Sequence, residues 1–211
     1  MIVTTEIEGG IATVTLNRPE KKNAMNCEML EALPEAASAL SAERAVILTG
    51  YGAIATAVAA VCLGAGFQLA LGADFRIAHP EAKLSIMEAR WGLIPDMGIT
   101  QSLPKLMRAD QAKMLMMTAR SFSGVDAAEM GLVTEVSETP LARARALAEL
   151  LAHQSPDALA GAKRLTEEGW GGGRAALALE AELQAALLGS PNQIEAVMAN
   201  MQKRAPKFGS A

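Results

Sequence analysis

Two carboxylates, Glu88 and Asp96, stand eight residues apart in a stretch that mixes glycine, proline and charge and reads as a loop or helix entry. Carboxyl groups facing one cavity can move protons on and off a substrate. The blander reading is that Glu88 is a solvated loop carboxylate and that Asp96 caps a helix beginning near Gly98. Further upstream an apolar run breaks at Gly64-Ala65-Gly66. Glycine there allows unusual backbone angles and close approach of a ligand. A helix starting at that point leaves N–H groups without intrahelical partners, at an end that favours negative charge. The same three residues also serve simply to pack a tight strand–helix turn. Other chemistry is missing. His79 and His153 have no metal-ligand spacing to Cys, Asp or Glu, so no metal is expected. There is no G-x-S-x-G elbow. "GAGFQLALG" lacks the third glycine and the ribose-binding acid of a dinucleotide site.

The elements that must hold these residues can be read from composition and pattern. The chain has 211 residues, 51% of them hydrophobic but only 3% aromatic, so Ala, Leu, Val and Met fill the core. Its net charge of −4, with no basic stripe before Lys203, Arg204 and Lys207, argues against nucleic acid as a partner. The apolar runs are too short and interrupted for a membrane span. With no leader-like start at Met1 and with two cysteines, Cys27 and Cys62, a cytoplasmic setting is expected. Val3–Glu8 and Ile11–Leu16 alternate around Gly9-Gly10, a hairpin signal. Asn26 is placed to cap a helix through Leu40. Ala45–Thr49 and Ile54–Val58 read as strands buried on both faces, as in a parallel sheet with helices packed on it. A short buried helix follows over Gly66–Gly72, then strands Phe75–Ala78 and Lys83–Ile86. Helices are predicted over Ile99–Met107 and Asp110–Thr118, a short helix capped by Ser123, and a strand over Leu132–Val136. From Pro140 onward the pattern is nearly all helical, jointed at Trp170–Arg174.

One connection does not fit. Parallel neighbours need a crossover of a dozen or more residues. Between "AVILT" and "AIATAV", however, Tyr51, Gly52 and Ala53 reach only about 10 Å when extended. Either the two runs form an antiparallel hairpin, or a segment is lost between Gly52 and Ala53.

Five blocks, "IATVTLNRPEKKNAMN", "RAVILTG", "VCLGAGFQLALGADFRIA", "AKLSIMEARWGLIPDMGITQSLPKL" and "ARSFSGVDAAEMGLVTEV", follow in order from Ile11 to Val136. Together they resemble the enoyl-CoA hydratase/isomerase family, the crotonase superfamily. The resemblance implies an α/β, crotonase-like spiral of ββα units over residues 1–137. A C-terminal helical region over 138–211 would make the subunit contacts of a homotrimer or hexamer. It favours the lost segment, since family members carry roughly four to five dozen more residues at that crossover, including a loop that supplies half of an oxyanion hole.

The chemistry so implied is stabilisation of a thioester enolate by two backbone N–H donors, each worth about 3–4 kcal/mol of barrier. Ala65, set between Gly64 and Gly66, falls at the position of the second donor. Family hydratases use two glutamates. Glu88 falls at the second, but the first is Gln68, which can orient a water or substrate group and cannot shuttle a proton. Asp96 stands where some isomerases of dienoyl-CoA carry an aspartate. A single glutamate suits a double-bond shift better than hydration. Coenzyme A is implied as substrate carrier, with no other cofactor. Lys22 and Ala24 carry over as contacts to it, and Lys203, Arg204 and Lys207 lie where the tail helps bind the nucleotide phosphate. The alternatives are a non-catalytic homologue that binds acyl-CoA or a protein, and a thioester hydrolase of the same superfamily.

Overall fold

The computed structural model describes residues 1–18, 21, 23, 25–40, 43, 45–50, 57–58 and 60–209. Strands β1 (Val3–Glu8) and β2 (Ile11–Leu16) pair antiparallel around Gly9 and Gly10, with Val3 opposite Leu16 and Glu8 opposite Ile11. Helix α1 (Cys27–Ala39) starts at Asn26, whose Oδ1 accepts the Met29 N–H at 3.0 Å. Strand β3 (Ala45–Gly50) then lies parallel to β2, completing a sheet ordered β1-β2-β3. The expectation of burial on both faces holds only in part. Ile47 is buried on one face and Leu48 packs against the core from the other, but Val46, on the same face as Leu48, is 50% exposed near the start of this outer strand.

The remaining strands are short: β4 (Ala57–Val58), β5 (Val61–Leu63), β6 (Ile77–Ala78), β7 (Lys83–Ser85) and β8 (Glu135–Val136). All their pairings are parallel, in one sheet ordered β4-β6-β8 and a pair β5-β7. Strands β3 and β4 belong to different sheets, so the antiparallel hairpin does not form among the described residues. The Gly52–Ala53 junction and the expected strand start at Ile54 lie outside those residues. Helix α2 (Ala65–Leu71) runs from the end of β5. Phe67 fastens it to the sheet side by meeting Phe122 edge to face at 5.7 Å, while Phe122 exchanges two backbone hydrogen bonds with Leu84 of β7. Such ring pairs contribute about 0.5–1.5 kcal/mol beyond burial. Phe67, Leu84, Ile86, Leu115 and Leu132 form the centre of the core.

A 3-10 turn (Glu88–Trp91), α3 (Ile99–Ser102), α4 (Ala109–Thr118) and α5 (Gly124–Glu129) come next. Ser123 caps α5 through a reciprocal box with Asp126. The Asp126 carboxyl is held below the usual range by the Ser123 backbone N–H and hydroxyl, with Arg120 adding to the effect. The chain divides into two compact units, Met1–Leu147 and Ala148–Ala211, the division falling inside α6 (Pro140–Ala152). In the second unit α7 (Pro156–Gly169) and α8 (Gly173–Leu187) are jointed at Trp170–Gly172, and α9 (Pro191–Gln202) completes the helices. No described helix is long and apolar enough to cross a membrane.

Candidate active site

Parallel strands β5 and β7 end side by side, so the start of α2 and the 3-10 turn meet at that edge. Open α/β sheets hold ligands outside the carboxyl ends of their strands. Gly64 extends the pairing by donating its N–H to the Ser85 carbonyl at 2.9 Å. The chain then turns into α2 with Gly64 at φ 56°, ψ −130°, a conformation close to glycine-only. Space is tight as well, since a Cβ on Gly64 would lie 3.3 Å from Glu88 Oε1, which would have to give way slightly, and 3.6 Å from Met87 Cγ. Ala65, half-buried, is the first residue of the helix. The N–H of Gln68 donates to the Gly64 carbonyl at 3.1 Å, and the N–H groups of Ala65, Gly66 and Phe67 precede that first bond.

Glu88 opens the 3-10 turn after β7 and is buried, 9% exposed. Among the described residues it is the one buried carboxylate. Gln68, on α2 and 2% exposed, donates from Nε2 to Glu88 Oε1 at 2.6 Å. The other end of the same amide accepts the Met97 backbone N–H at 2.9 Å. Glu88 Oε2 is enclosed and has no hydrogen-bond partner among the described residues. Leaving a buried carboxylate oxygen without a partner costs about 1–3 kcal/mol, so this oxygen calls for a water, an ion or a ligand group from outside the protein. Ala65, Gly64, Gln68 and Glu88 thus come together.

Asp96 is placed differently. It is exposed, one residue before Met97, and no hydrogen bond joins it to Glu88 among the described residues. Nor does it cap the helix beyond, because the N-cap of α3 is Gly98, without a side-chain bond. Lys22 and Ala24 lie outside the described residues. In their loop Asn23 is fully buried at φ 53° and accepts the Arg18 N–H through Oδ1 at 2.6 Å. Its motif was visible in the sequence, but the role of its side chain was not. The apolar run Trp91, Leu93 and Ile94 was also missed. These side chains are 70%, 63% and 79% exposed on the segment between Glu88 and Met97, and apolar residues in a loop were the available signal. At the tail, Arg204 pairs through both terminal nitrogens with Glu195, so its charge is engaged within the chain. Burial pushes the Cys62 thiol far up, leaving it a core residue and no nucleophile. A cavity of about 420 Å³ opens beside Arg90 and Arg120, but neither Ala65, Gln68 nor Glu88 lines it. Among the described residues no His, Cys, Asp and Glu gather as metal ligands.

Comparison with known proteins bears on the family and the fold. Residues 6–57 and 53–211 match the enoyl-CoA hydratase/isomerase family, in two pieces that overlap over residues 53–57, directly after the Gly52–Ala53 junction. A probable enoyl-CoA hydratase of Rhodobacter capsulatus is 32% identical over 246 positions, covering 96% of each chain. One of Mycobacterium tuberculosis is 28% identical over 247 positions and all of both chains, against the 211 residues present here. Among solved structures, an enoyl-CoA hydratase/isomerase of Mycobacterium abscessus, described as putative, superposes with a TM-score of 0.92 at 26% identity over 99% of each chain. An enoyl-CoA hydratase of Polaromonas sp. JS666 gives 0.89 at 27% identity over 98% of this chain and 99% of its own. The motifs, the turn at Gly64 and the buried Glu88 therefore sit on a crotonase fold, and the chain belongs to the enoyl-CoA hydratase/isomerase family.

Proposed function

We propose that this protein acts on acyl-CoA thioesters and shifts a carbon–carbon double bond along the acyl chain in preference to adding water across it. The observation that carries the reading is the pairing of one buried carboxylate with an amide, Glu88 with Gln68, where a hydratase would have two carboxylates. Glu88 removes a proton from the α-carbon of a β,γ-enoyl thioester. The electrons of that C–H bond pass into the thioester as a dienolate, with the charge on its oxygen. The Ala65 N–H, presented by the Gly64 turn, meets that oxygen. Glu88 then returns the proton to the γ-carbon and the double bond comes to rest in conjugation. Base and acid are the same group, so no second proton carrier is required. Hydration needs another group to activate water, and an amide is a poor candidate. Asp96 has no step in this scheme, because its carboxyl is exposed.

The apolar side chains at Trp91, Leu93 and Ile94 suit an acyl chain beside the buried carboxylate. The loop around Asn23, with Lys22 and Ala24, is the proposed coenzyme A contact. Ile194, Val197, Met198 and Met201 form an exposed apolar stripe on α9, which supports a homotrimer or hexamer. A solution mass equal to one 22.0 kDa chain would count against that assembly.

The test is turnover of β,γ- and α,β-enoyl-CoA followed by absorbance. The wild type should isomerise the first much faster than it hydrates the second, and Glu88→Gln should lower isomerisation by at least roughly a hundredfold. Full activity in Glu88→Gln would sink the proposal. A second reading, a non-catalytic acyl-CoA binder, is favoured by the two-piece family match, which puts the shortening where the other oxyanion donor is expected. Thermal stabilisation by CoA esters without turnover of either substrate would establish it instead.

A further inference from the structure

We propose that Gln68 is a positioning residue for Glu88: it holds Oε1 and leaves Oε2 as the oxygen that exchanges protons with the substrate. The proposal rests on the reading of Glu88 as the acid/base, and deepens it.

The orientation of the Gln68 amide is fixed by its neighbours. The Met97 backbone N–H can only donate, so the amide oxygen must face it, at 2.9 Å. The amide nitrogen is then forced toward Glu88, where it donates to Oε1 at 2.6 Å. With an N–H donor seated on Oε1, a proton carried by Glu88 belongs on Oε2. That oxygen is enclosed and unpartnered among the described residues. Glycine at 64 is what lets the carboxylate sit this close to the turn, since a methyl group there would stand 3.3 Å from Oε1. Gln68 itself is locked in the fourth position of α2, almost wholly out of solvent.

The same amide spans a loop. Glu88 and Met97 are the two ends of the segment carrying Trp91, Leu93 and Ile94, and Gln68 bonds the side chain of one and the backbone of the other. One side chain therefore links the orientation of the acid/base to the far end of this segment. A glutamate at 68 could accept the Met97 N–H but would turn an acceptor toward Glu88, where the present contact is a donor. Two carboxylate oxygens cannot both stay charged at that separation. The local geometry is thus built for an amide.

Two variants separate the roles. Gln68→Met keeps length and volume but removes both hydrogen bonds, whereas Gln68→Glu keeps the Met97 bond and replaces the fixed amide donor to Glu88 with a carboxyl that must share a proton with it. With a β,γ-enoyl-CoA as substrate, both should lower kcat by roughly tenfold to a hundredfold while KM stays within about twofold, the pattern of a misplaced catalytic group. Amide hydrogen exchange at Met97 should be as slow in Gln68→Glu as in the wild type and faster in Gln68→Met. Wild-type kcat in both variants, with Glu88→Gln inactive, would overturn the positioning role and leave the function standing. An active Glu88→Gln would overturn the function and this proposal with it. Unchanged Met97 exchange in Gln68→Met would overturn the loop-spanning part. If Gln68→Met fails to fold, the loss of kcat in Gln68→Glu decides the positioning role alone.

Discussion

At the scale of single residues, the site depends on an atom that is missing, the Cβ of Gly64. Its φ of 56° combined with ψ of −130° already excludes most side chains, and the space in front of it is taken up by Glu88 Oε1. Gly64→Ala should therefore act in two ways. It should strain the turn, lowering the urea unfolding free energy by about 1–3 kcal/mol, and it should displace the carboxylate, lowering kcat by roughly a hundredfold. A variant that unfolds more easily yet retains wild-type kcat would show that the turn serves packing alone. The sequence made much of this visible, because Gly-Ala-Gly before an apolar helix and Glu88 in its block both announce themselves by type. The role of Gln68 did not. Read from its block, it was a group for orienting water or substrate. Its partners are Glu88, 20 residues on, and a backbone N–H at Met97, 29 residues on. No residue type signals a backbone donor whose direction depends on how a loop closes.

At the scale of elements, what aligns the site is the seating of short pieces against one another. Helix α5 meets the turn after β6 so closely that a Cβ on Gly124 would collide with the His79 carbonyl oxygen, and the Val125 N–H donates to the Pro80 carbonyl. Backbone cannot give way as a side-chain tip can. Gly124→Ala should cost about 1–3 kcal/mol or more in urea unfolding, against about 1 kcal/mol for loss of the neighbouring cap in Ser123→Ala. The reverse ranking would mean that α5 does not hold its place by this contact. The cap at Ser123 was legible, as were Asn26 and the joint at Trp170–Gly172, because capping and glycine chemistry act within a few residues. Strand lengths were not. Phe75–Ala78 shrinks to Ile77–Ala78 and Leu132–Val136 to Glu135–Val136 because the parallel register pairs only Ile77 with Glu135 and Ala78 with Val136. Just ahead of it the carbonyl of Arg76 accepts from both Thr134 and Glu135 N–H groups. Apolar residues on either side, such as Leu132 and Val133, are buried without being paired strand.

At the scale of the whole molecule, the C-terminal end is fastened rather than left as a charged tail. The resemblance placed Lys203, Arg204 and Lys207 where the tail helps bind the nucleotide phosphate, and no local pattern pointed to Glu195, nine residues from Arg204 and off any helical repeat. The fold turns the tail back along α9. Arg204 Nη2 reaches Glu195 Oε2 at 2.8 Å, the Lys207 N–H donates to Glu195 Oε1 at 2.7 Å, and the Gly209 N–H donates to Asn192 Oδ1 at 2.9 Å. Asn192 also donates to Asp157 of α7, so the same contacts tie α9 to its neighbour within Ala148–Ala211. The Arg204 guanidinium and then the Lys207 N–H hold the Glu195 carboxyl down to about 2 from an ordinary 4.5. A carboxyl with a depressed folded-state value binds protons more readily when unfolded, so its contribution to stability is complete above about pH 4.5 and lost as the pH falls toward about 2. Because the pair is exposed to solvent, added salt should weaken it. Glu195→Gln should thus be less stable than the wild type at neutral pH, and the two unfolding midpoints should converge between pH 4.5 and 2. Parallel pH curves for the two proteins would show that the tail is held by Asn192 and packing, with the ion pair contributing nothing.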